Sequence, residues 1–396
     1  MSDIPVLVLD GGTRNDHHLA LGNAPSGYFA YPVHLWQSTT LETGLFKPGR
    51  PDKLDNPSYI RPDGEPFWYT LTPGRTIIAA SEDDTHVTFP ELEGGTGTVT
   101  LDRGQVFSRV TKDAFVGHAV TADKPIGVVS ITQPNIIPWD YPFGHELDGG
   151  GGQQASMPET VWGSEYVAVR HADRWQGLVE SPPWRILGGA DGTRLSYEPA
   201  RPEGAPEMIG RGELAIFESG SPFVVRSQDD AHRFYLSAHM TGGHYMLQRN
   251  GRKFTDESRG GSVSIGVLTT SRWAKRYPFL VVTEGLWPEH HLVVVRRRGA
   301  SDVTLDCAGT LTGWQTVDEQ FEYVRVPLRD HDGRPTPHGE RACTAGPHWI
   351  ESHDPFHATL WGTNTTMRPA FDEMRGSSAY GVTLFGADLP PSDPAR

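Results

Sequence analysis

The sequence lacks long apolar runs and helical periodicity. No apolar stretch approaches the roughly 20 residues that a helix needs to cross a bilayer. Apolar residues also fail to recur at the i, i+3, i+4, i+7 spacing of an amphipathic helix over three turns. These two absences argue against membrane insertion and against a helical fold.

Positive charge is also scarce. The 396 residues include 35 Lys and Arg against 49 Asp and Glu, which gives a formal net charge of -14. Phosphate groups are bound by basic surfaces, so this balance argues against a nucleic-acid partner or an anionic membrane. The single basic run, Arg296 to Arg298, is interpreted as a solvated strand end.

Only two cysteines occur, Cys307 and Cys343, and both lie in the last third of the chain. Cys307 ends one strand-like run and Cys343 stands at the start of another, and we therefore predict a disulfide between them; two buried free thiols are the alternative. A disulfide favours an exported protein. The N-terminal residues show no basic segment or cleavage site of a signal peptide. We expect an extracellular or cell-surface location, while a cytoplasmic one stays open.

What the sequence has in abundance is turns and short alternating runs. It contains 45 Gly and 32 Pro, and 37% of its residues are hydrophobic. Apolar and polar residues alternate in runs such as 98–101 and 126–131, and turn-forming pairs such as Asp332-Gly333 separate the runs. This pattern predicts an all-β protein built of sandwiches or barrels.

Three phrases recur along the chain. The spacing Trp162-x3-Tyr166 returns as Trp273-x3-Tyr277. A phrase interpreted as a hairpin with an Asp-x-Thr turn occurs at 75–89, 185–197 and, loosely, 293–305. A closing phrase begins at Asp123, Asp229 and His353. A period of about 110 residues has the size of a small domain.

These repeats predict three tandem antiparallel β-sandwich, jelly-roll-like repeats of about 110 residues. The predicted units are residues 1–132, residues 133–268 with a Gly-rich entry loop, and residues 269–396 with the cysteine pair and a disordered tail.

The repeated Asp-x-Thr turns, at Asp83 and Asp191, suit tight turns in which a short carboxylate accepts a backbone N–H. Calcium ligation is the alternative. It requires six or more converging oxygens, and the chain has no Asp-x-Asp-x-Asp loop that would supply them. We therefore expect no cofactor, with calcium kept as an open possibility.

The sequence offers weak candidates for catalysis. Four of the histidines in the last third lie close together in sequence (His338, His348, His353 and His357), but zinc-site spacing is missing, and we predict no metal site. Ser164 lies in a repeat whose later copy has no serine, and no Gly-x-Ser-x-Gly elbow occurs. The carboxylates that flank the glycine loop, candidates for sugar hydrolysis, are Asp140, Asp148, Glu159 and Glu165. We predict that the chain is not an enzyme, with a carbohydrate-active or metal-dependent enzyme as the alternative.

Eleven tryptophans are the remaining signal. Trp162 and Trp273 occupy the same repeat position, so we predict that both pack in cores. The tryptophans without an obvious repeat match could stack on sugars or anchor a protein partner. These predicted binding residues are Trp36, Trp139, Trp175, Trp287 and Trp361.

Several of these phrases resemble the N-terminal domain of the IgGFc-binding protein family, as found in bacterial surface and secreted proteins. The resemblance spans roughly residues 70–386. The matching stretches are 121–128, 154–166, 185–193, 305–307, 348–356 and 380–381. It implies an exported, mostly β, binding or adhesion module.

We therefore predict a non-catalytic extracellular binding or adhesion module for a protein or glycan partner. No nucleic acid and no membrane insertion are expected, and the oligomeric state stays open. A structural component of a surface assembly is a further alternative.

Overall fold

The computed structural model describes residues 6–10, 26–30, 33–43, 72–91, 95–111, 116–135, 150–243, 258–282, 287–363, 365–366 and 379–386. Antiparallel β-sheet dominates these ranges. The predicted all-β class is therefore confirmed. No helix in this part of the chain is long and apolar enough to cross a bilayer.

The first group of strands lies before residue 156. Its members are β1 (Val6–Asp10), β2 (Ser26–Ala30), β3 (Gln37–Leu41), β4 (Thr72–Ala80), β5 (Thr85–Pro90), β6 (Thr96–Leu101), β7 (Val106–Thr111), β8 (Ala119–Asn135) and β9 (Gly150–Ala155).

The second group runs to residue 266. Its members are β10 (Glu165–Ala168), β11 (Pro183–Gly188), β12 (Thr193–Glu198), β13 (Met208–Ile209), β14 (Leu214–Glu218), β15 (Phe223–Ser227), β16 (Phe234–Met240), β17 (Ser258–Arg259) and β18 (Val263–Gly266).

The third group completes the described chain. Its members are β19 (Ala274–Val281), β20 (Glu289–Arg297), β21 (Val303–Leu305), β22 (Gly309–Thr310), β23 (Gln315–Thr316), β24 (Phe321–Arg329), β25 (Pro337–His338), β26 (Arg341–Ala342), β27 (Gly346–Thr363), β28 (Thr365–Thr366) and β29 (Ala379–Thr383). Short 3-10 helices, Val33–Leu35, Glu159–Val161 and Thr270–Arg272, precede β3, β10 and β19.

One pattern of strand pairing occurs in all three groups. In the first, β8 pairs with β3 and β5 through its beginning and with β4 and β9 through its later part, while β6 and β7 pair with β5 and β4. In the third, β27 corresponds to β8. It pairs through its beginning with β19 and β21, the counterparts of β3 and β5, and through its later part with β20 and β29, the counterparts of β4 and β9. In the second, the long strand is divided into β15 and β16.

The closing phrase marks the corner of each long strand. Asp123 to Pro125 separate the two halves of β8, Asp229 to His232 lie between β15 and β16, and His353 to Pro355 separate the halves of β27. In the second group the break leaves two separate four-stranded sheets, β10-β15-β12-β13 and β14-β11-β16-β18.

The Asp-x-Thr phrase is a corner, and its interpretation as a hairpin was wrong. β11 and β12 lie in different sheets, and β4 and β5 pair with β8 on opposite sides of its corner instead of with each other. The threonine explains the corner: the hydroxyls of Thr85 and Thr193, both on buried residues, donate to the carbonyls of Glu82 and Ala190 at 2.7 and 2.8 Å.

The Trp-x3-Tyr phrase begins two of the groups with the same contacts. The hydroxyl of Tyr166 accepts the N–H of Gly163 and donates to the carbonyl of Phe234. The hydroxyl of Tyr277 does the same with Ala274 and Phe356. Each hydroxyl thus links the first residues of its group to the long strand of that group, at a position just after the corner.

Three clusters of buried apolar side chains form the cores. The first contains residues of β4 to β8, and another lies within β19 to β29. The largest is centred on β10 to β18 and includes Val293 and Val295 of β20 and Phe321 and Tyr323 of β24. β20 is therefore buried on both faces, which explains its nearly continuous apolar run.

The predicted boundary at 132/133 falls within β8, whose pairing with β9 continues the first group to Ala155. The one at 268/269 falls between β18 and the helix Thr270–Arg272.

Candidate binding surface

Trp36 belongs to the repeat, contrary to its treatment as unmatched. Its backbone N–H follows the helix Val33–Leu35 and donates to the carbonyl of Val33. The backbone N–H groups of Trp162 and Trp273 likewise donate to the carbonyls of Glu159 and Thr270, the first residues of the other two 3-10 helices. The half-buried indole packs against Gly127, where a Cβ would lie 2.6 Å from the ring. Trp162 and Trp273 are buried, as predicted.

Trp287 and Trp361 are core residues, and their prediction as binding residues is corrected. Each is only 1% exposed. Trp287 meets Tyr380 edge to face with ring centroids 4.8 Å apart, and the indole N–H of Trp361 donates to Thr359 at 3.0 Å. Neither ring offers a face to a ligand. Trp139 lies outside the described residues.

Trp175 is half-buried and stands in a loop between β10 and β11 that we call the Trp175 loop, residues 173–180. The guanidinium of Arg174 lies over its ring at 4.9 Å. Farther along the loop, Val179 is 78% exposed. Loops that carry exposed residues on a fixed base are common sites of contact with a partner.

A buried ion pair holds the base of the Trp175 loop. The guanidinium of Arg174 donates to both oxygens of Glu180 at 2.7 to 3.1 Å, and both residues are almost fully buried. Arg174 also donates to the carbonyls of Thr241 and Arg259. Although burial opposes ionisation, Arg174 and His171 together hold the pKa of Glu180 at about 2. The loop is therefore closed rigidly at its base.

The outer face of β19 and the first half of β27 presents an exposed tryptophan, Trp349. Strand alternation turns Tyr277, Phe279 and Ile350 inward, so their neighbours point outward. Trp349 pairs with Pro278, and Leu280 pairs with Pro347. We call this surface the Trp349 face; its members are Arg276, Pro278, Leu280, Pro347, Trp349 and Glu351.

The Trp349 face combines apolar area with charge at one side. Trp349 is 44% exposed and Leu280 is 42% exposed. The guanidinium of Arg276 lies 6.0 Å from the centroid of the Trp349 ring and 3.6 Å from the carboxylate of Glu351. Aromatic residues and arginine are the side chains enriched where proteins bind each other. Because seven residue pairs join β19 to β27, the face is preformed.

Trp349 was not predicted as a binding residue, because the stretch 348–356 was considered only for its resemblance to the family. The signal was present: Trp349 lies between two residues, His348 and Ile350, that alternate with it and turn inward. A register fixed from the strand pairing would have placed it on the outer face.

The repeated aspartates each accept a backbone N–H that lies 20 residues farther along the chain, which differs from the predicted bond within their own turn. Asp83 and Asp191 accept the N–H groups of Arg103 and Arg211 at 3.0 and 2.9 Å. At the first turn, the ammonium of Lys124 donates to the carbonyls of Asp83 and Asp84. A side-chain cation thus already occupies these carbonyl oxygens.

The carboxylates considered for catalysis are tied to arginines. Glu159 accepts Arg211, and Glu165 accepts Arg226 at 2.6 Å and the hydroxyl of Thr270 at 2.7 Å. Asp140 and Asp148 lie outside the described residues. Ser164 donates to the carboxylate of Asp230 at 2.5 Å. These contacts are structural links between strands and loops.

The crowded histidines are not brought to one place. His338 contacts the carbonyl of Pro327, and His353 is exposed, whereas His357 is buried. His353 and His357 could share a face of a regular strand, but β27 shifts register between Glu351 and Phe356, so they lie on different sides. His348 lies beside Asp306, with its Nδ1 3.0 Å from a carboxylate oxygen.

The predicted disulfide joins Cys307 to Cys343, with Cα atoms 4.9 Å apart. It links the turn after β21 to the segment before β27, and Cys343 is fully buried in the core of the third group.

Comparison with known proteins places this architecture in a family. The model of the IgGFc binding protein family matches residues 56–362, which is more than half of the chain. No curated protein and no solved structure matches the chain. The chain therefore belongs to the IgGFc-binding protein family, a family of protein-binding modules.

Proposed function

We propose that the chain is a non-catalytic extracellular binding module that recognises its partner through the Trp349 face. Family membership implies a protein partner, and the family is typically extracellular. The family name makes the Fc region of immunoglobulin G the first protein to test.

The observation that carries the proposal is the exposure of Trp349 on the outer face of the paired strands β19 and β27. Leu280 and two prolines surround the indole, and Arg276 borders it. Removing such an aromatic anchor from the centre of an interface typically weakens binding by 2 kcal/mol or more. Because strand pairing fixes the backbone, little ordering would oppose association.

A glycan is the second candidate partner, and the same residue favours it. An exposed indole offers an apolar face on which a sugar ring can stack. The charged neighbours, Arg276 and Glu351, would supply hydrogen bonds to hydroxyl groups.

We further propose that the three groups of strands are tandem sandwich repeats with revised boundaries at about residues 33–155, 159–268 and 270–386. The common pairing pattern, the three 3-10 helices and the shared tyrosine contacts support this division. In this arrangement the third repeat carries the partner surface. We keep the expectation that no cofactor is needed, because Lys124 occupies the carbonyls of the first Asp turn.

The test measures binding of the purified chain to Fc fragments by surface plasmon resonance and to a glycan array, with and without calcium. Trp349→Ala is expected to weaken the binding that is found by about 30-fold. Two variants serve as controls. Met208→Ala removes an apolar side chain that is exposed elsewhere, and Trp175→Ala removes the tryptophan of the loop; both should stay within about threefold of the parent.

The outcomes distinguish an error in the location of the binding surface from an error in the proposed binding function. Loss of binding in Trp175→Ala with full binding in Trp349→Ala would move the site to the Trp175 loop. Absence of binding to both Fc and glycans would contradict the two partner classes and favour self-association as a surface component, which sedimentation would detect.

A further inference from the structure

The disulfide in the third group lies inside a set of metal-ligating side chains. Asp306, Cys307 and His348 each offer a ligand atom, and these atoms all lie within 4.8 Å of one another. The disulfide adds Cys343, so four potential ligands meet between β21 and β27. Two of them, Cys307 and Cys343, cannot bind metal while their sulfur atoms are bonded to each other.

Contacts with the protein fix the other two ligands in advance. The Nδ1 of His348 lies 3.1 and 3.0 Å from the two carboxylate oxygens of Asp306, and its Nε2 lies 2.8 Å from the carbonyl of Thr344. The N–H of Cys307 donates to Asp306 at 2.8 Å. His348 is buried and its ring packs beside Phe279 with centroids 5.6 Å apart. The set is thus partly shielded and ordered.

We propose that reduction of the Cys307–Cys343 disulfide creates a zinc site formed by Cys307, Cys343, His348 and Asp306. Two equivalents of a small thiol supply the electrons: the S–S bond breaks, the protein gains two thiols, and the reductant leaves as its own disulfide. One Zn²⁺ then binds both sulfur atoms as thiolates and releases two protons to solvent. The thiol-rich set selects zinc over calcium or magnesium.

The dimensions suit a tetrahedral ion. Zinc lies about 2.3 Å from sulfur and about 2.0 Å from nitrogen and oxygen, so neighbouring ligand atoms of such a site are about 3.3 to 3.8 Å apart. Three of the four ligand atoms, those of Asp306, Cys307 and His348, already lie within 4.8 Å of one another. The sulfur of Cys343 is bonded to that of Cys307, and breaking this bond lets the two sulfur atoms separate toward the required spacing. On binding, the imidazole exchanges one of its two present contacts for the metal.

The site also explains why no zinc motif is visible in the sequence. Structural zinc sites usually take cysteines two to four residues apart. Here Cys307 and Cys343 are separated by 36 residues and are brought together by the pairing of β21 with β27. In the oxidised chain, ligand atoms of Asp306 and His348 lie within 4.8 Å of the Cys307 sulfur.

The experiment compares the oxidised chain with the chain reduced by a phosphine under nitrogen. Zinc content is measured after dialysis, and Co²⁺ is titrated as a spectroscopic probe of thiolate ligation. The reduced chain is expected to bind one Zn²⁺ at least about 100-fold more tightly than the oxidised chain. His348→Ala should weaken zinc binding to the reduced chain by about 10-fold or more. A cobalt–thiolate charge-transfer band should appear in the parent and be lost in Cys307→Ser/Cys343→Ser.

His353→Ala is the matched control, because this histidine lies in the same strand but is exposed. It should leave zinc affinity unchanged. Equal zinc binding by the oxidised and reduced chains, or undiminished affinity in His348→Ala, would overturn the proposal. If reduction unfolds the third group, added zinc must restore its circular dichroism spectrum and raise its Tm; failure to do so would also overturn it.

Discussion

At the scale of single residues, the two repeated tyrosines do the same work in different groups. Each hydroxyl satisfies one buried N–H and one carbonyl, and each ring packs against a phenylalanine, with centroids 4.9 Å apart for Tyr166 and 5.0 Å for Tyr277. Burial also raises the pKa of both phenols, so each stays a donor throughout the ordinary pH range. The repeated Trp-x3-Tyr spacing in the sequence is therefore explained by one hydrogen-bonding requirement.

We expect Tyr166→Phe and Tyr277→Phe to destabilise the chain by similar amounts. Each change leaves a buried N–H and a buried carbonyl without their partner, which costs about 1–3 kcal/mol. Urea denaturation measures the free energy of unfolding. Ser196→Ala, whose hydroxyl makes one 3.4 Å contact at the surface, is the control and should change it by less than about 0.5 kcal/mol. A cost at only one tyrosine would show that the two positions are not equivalent.

The sequence predicted residue roles well where the repeat carried them. Trp162 and Trp273 were assigned to cores by their matching positions, and the disulfide followed from strand-end cysteines. The unmatched tryptophans were harder, because a tryptophan in an apolar strand and one on a surface have similar neighbours in sequence. Trp361 became buried through the packing of β27 against the second group, which no local pattern records.

At the scale of elements, the turns that follow β6 and β13 differ in one respect: only the second lies against the neighbouring group of strands. Gly104 and Gly212 occupy equivalent turns with φ of 78° and 74°, and their N–H groups donate to Ala80 and Gly188. A Cβ on Gly104 would meet nothing within 4 Å. One on Gly212 would lie 2.6 Å from the carbonyl oxygen of Gly117, in the first group.

We expect Gly104→Ala to cost about 1–2 kcal/mol, the strain of a left-handed conformation in a residue with a Cβ. Gly212→Ala should cost that amount plus about 1–3 kcal/mol, because backbone atoms of Gly117 must move. The difference in free energy of unfolding between the two variants measures the contact between groups. Equal costs would show that the contact yields without penalty.

The elements themselves were partly predictable. Period-2 alternation identified parts of strands β6 and β8 through the runs 98–101 and 126–131. In the second run, buried residues alternate with half-buried ones. The Asp-x-Thr phrase was misinterpreted because a corner and a hairpin use the same turn residues, and only long-range pairing distinguishes them. β27 was not foreseen as one strand, because His353 to Pro355 resemble a turn in the sequence.

At the scale of the whole molecule, the assembled groups bury histidines in their neutral form. Burial lowers the pKa of His171 and His290 to about 4 and that of His357 to about 3, and it lowers the pKa of His239 and His291 well below the usual value. His171 lies against the second group's Glu180 and near Trp361 of the third. The contact between groups is thus built around uncharged imidazoles.

Acid should therefore unfold the chain well before its carboxylates are fully protonated. In the unfolded chain these histidines titrate near pH 6.5, whereas in the folded chain burial lowers the pKa of every one of them, to about 4 for His171 and His290 and to about 3 for His357. The unfolded state therefore binds more protons as the pH falls below 6.5. The free energy of unfolding is intact above pH 6.5 and falls as the pH falls, by up to about 1.4 kcal/mol per pH unit for each histidine. Below pH 4.5, protonation of Glu180 in the unfolded chain adds to the loss.

Urea denaturation at intervals from pH 8 to pH 4.5 measures this slope. His357→Leu should reduce the slope of the free energy of unfolding against pH by the contribution of one histidine. The His357 ring lies among apolar side chains, and both its nitrogens lack a hydrogen-bond partner within the described structure. His353→Ala, at an exposed position of the same strand, should leave the slope unchanged. A flat profile between pH 7 and pH 5 would contradict the buried neutral state, whereas a steep one that His357→Leu reduces would show that unfolding charges this buried histidine.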